Sequence, residues 1–241
     1  MTKTVILILS FATFSVTTFS QDLTLKCGEK EIECENGNKD HFDMVMYCPY
    51  EETDTTKLPQ IVLDNAKQYL TARVGQNFFH VLNYYECQIV NFKKFAKIKK
   101  QKGWVSEKSD KRVKYAIQYY FIIQDSLRYY LTIVFDKDGK IISKDQLPSV
   151  SKNKQFDKIL NVCDAKAIAE QDKVFTGELQ NISLEYLGSA NTFVWRIEKP
   201  AVKEGKKRQR VRRFLLVNAN SGKVIKRETE IWTIACELQA F

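Results

Sequence analysis

The sequence predicts an α+β protein: two tandem modules, each a helix packed on an antiparallel β-meander sheet, behind a signal peptide and a Cys-rich N-terminal extension. Three observations predict this. A strand, a Gly-Lys turn and a second strand occur twice, as Tyr129–Ile142 and as Arg212–Ile225, with Gly139 aligned to Gly222 and Lys140 to Lys223. Such repetition constrains the architecture before any local assignment. A stretch of helical spacing precedes each copy, and period-two alternation marks the strands.

Residues 1–20 read as a secretory signal peptide. Lys3 is its positive end, Val5 to Phe19 carries no charge, and Thr18-Phe19-Ser20 puts small residues around a cleavage point before Gln21. An uncleaved anchor is the weaker reading, because the stretch is hydroxyl-rich and shorter than the ~20 apolar residues a span needs. No Cys stands at the cleavage point to take a lipid. Residues 21–55 are polar and Cys-rich, an extension without the apolar content for a core of its own.

The first module covers 56–148. Pro59 suits a first helical turn, and Val62, Ala66, Tyr69, Leu70 and Arg73 follow at helical spacing until Gly75. Gln76 to Leu82 adds a short helical turn. Tyr84 to Phe95 reads as a strand. A Lys-rich connection leads to the clearest strand, with Val113, Tyr115, Ile117, Tyr119, Phe121 and Ile123 on one face. Leu127 to Phe135 returns, and Asp136-Lys-Asp-Gly139 turns into a last strand at Lys140 to Lys144, since Asp-Gly after a strand is a hairpin signal.

The second module covers 156–235, after a polar boundary at Pro148 to Gln155. Asp164 is the expected N-cap of a helix through Gln171. Ile182, Leu184 and Tyr186 share a strand face, as do Phe193, Trp195 and Ile197 in Thr192–Glu198. A long basic loop leads to Val211–Asn218, a turn at Ala219-Asn-Ser-Gly222, and Lys223–Trp232.

Four strings of this second half, Asp164-Ala-Lys-Ala-Ile-Ala169, Ile182-Ser-Leu-Glu-Tyr186, Thr192-Phe-Val-Trp-Arg-Ile197 and Phe214-Leu-Leu-Val-Asn-Ala-Asn-Ser-Gly-Lys-Val-Ile225, resemble the PepSY domain family. That family has a cystatin-like helix-on-sheet shape and commonly ends in a V-D-A-x-T-G-x-V hairpin. Asn218 stands where the family has Asp, and Ser221 where it has Thr; both keep short polar side chains that bond a turn backbone. The first module carries the likeness through Phe135-Asp-Lys-Asp-Gly-Lys-Ile141, so it spans about residues 56–232. The resemblance implies non-catalytic exported modules, some of which accompany peptidase propeptides. It supplies no catalytic residue.

Export changes how the cysteines are read. Cys27, Cys34, Cys48, Cys87, Cys163 and Cys236 make an even count, and in an oxidising compartment all six are disulfide candidates. Three of them crowd the extension, which points to a clamp there; sequence does not choose the pairs. The C-x6-C-x13-C spacing is not that of a zinc site.

Catalytic patterns are missing. There are two His, His41 and His80, in unrelated surroundings, and no G-x-S-x-G, H-E-x-x-H or Walker string. Asp136 and Asp138 are read as turn formers, because the full calcium-loop spacing is absent. Asn181-Ile-Ser183 fits a glycosylation sequon inside an expected strand. Neither enzyme activity nor a cofactor is expected.

Net charge is +9, and two clusters concentrate it. Lys93 to Lys114 holds ten Lys/Arg, including Lys99, Lys100 and Lys102. Lys199 to Arg213 holds eight, including Lys206, Lys207, Arg208, Arg210 and Arg212. They read as solvated loops or as a surface for an anionic partner. Scarce aromatics in the clusters and export both argue against a genomic nucleic-acid target. The expectation is a secreted or periplasmic protein that binds a protein partner, a peptidase among the candidates, through its sheet edges, sheet surface or basic loops. The alternative is an envelope protein holding polyanions such as lipid headgroups or acidic glycans, with membrane contact peripheral at most.

Overall fold

The computed structural model describes residues 23–27, 30–37, 50–91, 93, 112–203 and 209–233. The expected signal peptide, Lys99, Lys100, Lys102, Lys206, Lys207, Arg208, Cys48, Cys236 and His41 lie outside them.

The chain is α+β, with two sheets and two α-helices in the described residues. Chain order is β1 (Leu23–Cys27), β2 (Lys30–Glu35), β3 (Tyr50–Thr53), α1 (Gln60–Phe79), β4 (Asn83–Val90), β5 (Tyr115–Gln124) and β6 (Leu127–Phe135). Then come α2 (Val162–Gln171), β7 (Asn181–Leu187), β8 (Thr192–Glu198), β9 (Val202–Lys203), β10 (Gln209–Asn218) and β11 (Val224–Thr233). One sheet has four strands in the order β3-β4-β5-β6. The other has seven, in the order β1-β2-β7-β8-β10-β11 with β9 on β10.

The strands follow the alternation. Phe193, Trp195 and Ile197 are fully buried on one face of β8, as are Ile182 and Leu184 of β7. Helix α1 buries Val62, Ala66, Leu70 and Val74, one residue per turn, and is broken at Gly75, whose φ of 79° is left-handed. One apolar core runs through both sheets. Phe193 stands 5.1 Å from Tyr129 and 5.7 Å from Phe121 across the junction, and Phe78 stands 4.8 Å from Phe156. The segment read as a polar boundary is flanked by the buried Leu147 and Phe156; within it Val150 packs against the core and its N–H donates to the Arg73 carbonyl at 2.8 Å.

The extension does not stand apart. Hairpin β1–β2 adds to the seven-stranded sheet, with Cys34 and Glu35 parallel to Ile182 and Ser183, while β3 edges the four-stranded sheet. Gly37 then bridges to Tyr129 of β6, giving its N–H to the Arg128 carbonyl and taking the Tyr130 N–H, both at 2.9 Å.

Three expectations are corrected. Asn161, not Asp164, caps α2, its side chain accepting the Asp164 N–H at 2.8 Å. Lys140 to Lys144 is not a strand; the chain makes one bridge, Phe135↔Ile141, and departs. Cys27 does not pair inside the extension but with Cys163 of α2, 136 residues away. Cys34 and Cys87 carry buried thiols in different sheets; desolvation pushes the Cys34 thiol up to about 12.

The two repeated turns are built alike. Gly139 and Gly222 have φ of 79° and 70°. Asp136 Oδ1 accepts the Asp138 and Lys140 N–H groups, and Asn218 Oδ1 accepts those of Asn220 and Ser221, each at 2.9 Å. Gly139 faces Ile61 and Val62 of α1, as Gly222 faces Ile168 of α2. The second turn is one residue longer between its capping side chain and its glycine.

Candidate functional site

The four-stranded sheet has two unlike faces. Odd-numbered residues of β5, such as Ile117 and Phe121, join the core with α1. The even-numbered residues Gln118 and Tyr120, with their partners Thr132 and Tyr130 on β6, lie on the opposite face.

Strand β4 feeds that opposite face through an irregularity. Tyr84 pairs with Tyr119 and Glu86 with Gln118, so Tyr85 is the extra residue of a β-bulge. Tyr84 remains with Tyr119, 6.4 Å between rings. Tyr85 instead meets Tyr120 at 6.2 Å and Tyr130 at 5.2 Å, and Tyr120 and Tyr130 are 5.8 Å apart. Arg128 lays its guanidinium over Tyr120, 4.6 Å from the ring centre. Its hydrogen bond with Tyr130 raises its pKa above the ordinary arginine value. The result is a platform with a buried base, Tyr130, and an exposed rim, Tyr85 and Ile122, which are 48% and 54% exposed.

Along the same face the platform gives way to a buried polar row. Gln118 Nε2 donates to Thr132 Oγ1 at 3.2 Å, and Gln88 Nε2 donates to Glu86 Oε1 at 3.4 Å. Gln88 Oε1 is buried with no hydrogen-bond partner. Beyond it, Val90 and Ala116 are buried with Val113 and Val134 beside them.

Two of the basic candidates, Arg210 and Arg212, lie among the described residues. Both belong to β10 rather than to a loop. Arg212 Nη1 lies 3.3 Å from Glu198, whose carboxylate also holds Arg196 at 2.6 Å. Arg196 in turn lies 3.6 Å from Glu185 and from Glu230 and stacks 3.7 Å from the centre of Phe214. Arg212 is therefore neutralised on its own sheet. Burial raises the pKa of Glu185 in this network, against the pull of Arg196.

Other candidates have structural roles. His80 caps the end of α1 beside Gln76, 2.9 Å away. Asn181 is 8% exposed with its Oδ1 buried and unpartnered, which closes the sequon to a glycan. Arg73 ties the halves together: it donates to the Leu147 carbonyl at 2.8 Å and the Tyr186 hydroxyl at 2.9 Å, and pairs with Asp145 at 2.6 Å. A shallow groove of ≈ 490 Å³ runs along α1, lined by Ile61, Asn65, Gln68, Tyr69, Asp138 and Lys140. Among the described residues no group of three or more His, Cys, Asp or Glu is placed to hold a metal ion, and no helix is long and apolar enough to cross a membrane.

Sequence reasoning missed the tyrosine platform. Its signal was three Tyr doublets, Tyr84-Tyr85, Tyr119-Tyr120 and Tyr129-Tyr130, one on each of three consecutive strands. No family model, curated protein or solved structure matches the chain.

Proposed function

We propose that the protein is an exported, non-catalytic binding protein of two PepSY-like modules, and that it holds a protein partner at the exposed Tyr85 and Ile122 rim of its four-stranded sheet. The carrying observation is the platform of Tyr85, Tyr120, Tyr130 and Arg128. Tyr and Arg are the residues that concentrate binding energy at protein interfaces, because rigid rings and a planar cation offer contact area at low entropic cost. The bulge at Tyr85 supports the reading, since bulges re-aim side chains next to functional sites. The matched turns at Gly139 and Gly222, each packed on the helix that precedes it, support two copies of one module.

The partner class implied by the resemblance is a peptidase. The edge of β6 is an unsuitable contact, because the chain itself takes it. Gln146 supplies Oε1 to the Thr132 N–H at 2.8 Å and Nε2 to the Thr132 carbonyl at 3.0 Å, and Ser143 accepts from Val134 at 3.1 Å.

The test immobilises the mature chain, captures from an extract of the producing cell and elutes in rising salt. A discrete protein is expected to stay bound above roughly 0.5 M salt, where charge contacts are screened. It should be lost with the double variant Tyr85→Ser, Arg128→Gln and kept when Lys206, Lys207, Arg208 and Arg210 are neutralised. Loss of everything at moderate salt, with glycan or lipid in the eluate, would replace this reading by polyanion binding.

A further inference from the structure

The seven-stranded sheet ends on β11. Strand β10 holds one side of it, from Gln209↔Thr233 to Val217↔Val224, and among the described residues no strand holds the other. The contrast with β6 is physical. There, Asn36, Gly37, Ile142, Ser143 and Gln146 occupy the outward N–H and C=O groups of Arg128, Tyr130, Thr132 and Val134. On β11 a ten-residue strand presents its edge, and an edge of that length is a template for another strand.

The side chains along it select which strand. Proteins guard edges with lysines of one sign, prolines or inward charges. The charges of β11 instead have both signs and are disposed about Glu228. Lys226 lies two residues before it and Glu230 two after. A second copy laid antiparallel about a two-fold axis at Glu228 places Lys226 opposite Glu230 of the second copy, twice. Opposite charges and apolar pairs at directly facing positions stabilise a ladder, and like charges destabilise it.

The neighbouring symmetric registers are worse. Centring one residue earlier pairs Lys226 with Glu228 but sets Arg227 against Arg227 and leaves Glu230 facing Val224. Centring one residue later sets Glu228 against Glu230 twice. In the favoured register Glu228 faces its own copy, but each Glu228 already contacts Lys226 on its own strand. The register shift between Leu216 and Val217 makes Ile225 the extra residue of a bulge, so the facing positions are counted over the regular stretch that begins at Lys226.

We propose that β11 is a self-association edge, joined antiparallel to β11 of a second copy about Glu228, so that one sheet runs through both molecules. This contact lies on the other sheet from the tyrosine platform, so either can fail without the other.

Sedimentation equilibrium of the mature, oxidised chain tests it, between about 1 µM and about 500 µM, the range in which a small edge contact associates. A monomer–dimer equilibrium is expected. Lys226→Glu and Glu230→Lys should each weaken it by roughly tenfold or more, about 1.4 kcal/mol. The double variant should restore it, because Glu at 226 then faces Lys at 230 of the second copy. Both positions are exposed, so thermal melts of the variants should match the wild type. A wild type that stays monomeric throughout overturns the proposal. So does a dimer indifferent to the single changes, or a double variant no tighter than either single one.

Discussion

Gly37 occupies a place that admits no side chain. A Cβ there would lie 2.2 Å from the Leu184 carbonyl oxygen and 2.8 Å from the Tyr129 ring, in the strip where β2 passes from one sheet to the other. Neither neighbour is a flexible chain end, so Gly37→Ala should cost roughly 2–4 kcal/mol, read as a lower urea midpoint. Asp172 makes a different residue-scale prediction. It ends α2, accepts the Val174 and Phe175 N–H groups at 3.0 and 2.8 Å, and is held by Arg227 of β11. The hydrogen bond from Arg227 lowers its pKa below the usual 3.8. A carboxylate lowered on folding adds stability that is present above the unfolded value and lost as pH falls through the folded one. Asp172→Asn should therefore lower the melting temperature at pH 7, and the gap from wild type should close below about pH 3.8. An equal gap at acid pH would show that the charge is not what matters. Neither residue announced itself in the sequence: Gly37 lies in a polar stretch, and the partner of Asp172 is 55 residues away.

At the scale of elements, strands that bury one face were legible and those completed by other means were not. Thr192–Glu198 was read at its observed bounds because Phe193, Trp195 and Ile197 alternate without interruption. Lys140 to Lys144 was read as a strand because Ile141 and Ile142 follow a hairpin turn. The chain instead bends so that Leu147 reaches the core, and the amide of Gln146 stands in for the missing strand at Thr132. A side chain that imitates a backbone leaves no periodic signal. Gln146→Ala should cost about 1–3 kcal/mol, since it strips both Thr132 groups of their partner. The Thr132 amide should then exchange with solvent faster than those of neighbouring β6 residues; unchanged exchange would refute the role given to Gln146. The start of α2 was misplaced by three residues for a local reason. Asn161 and Asp164 are both capping types, and each bonds the other: Asp164 gives its N–H to Asn161 and takes Asn161 Nδ2 at 2.7 Å.

For the whole molecule, the reading of cysteines as disulfide formers was right in kind for Cys27 and Cys163 and wrong about where the clamp closes. Spacing suggested a bond within the extension. The extension instead contributes strands to both sheets, so its cysteine meets a helix from the far half of the chain. Such long-range closure removes many unfolded conformations, and reduction should cost about 2–5 kcal/mol. Denaturant unfolding with and without a dithiol reductant reads that difference; coincident curves would show that the hairpin holds without its staple. The candidate site followed the same rule. Basic runs are conspicuous in a sequence, yet Arg212 is spent on Glu198. Tyr85, Tyr120, Tyr130 and Arg128 come from three strands and converge only once the bulge and the register are set.

The claim that this platform meets a protein partner is tested most directly by photo-crosslinking. A photoreactive phenylalanine analogue is placed at position 85 and, as a control, at the 74% exposed Val174. The account predicts one discrete protein adduct from position 85 in an extract of the producing cell, persisting in high salt, and none from position 174. Equal adducts from both positions, or none from position 85, would contradict it.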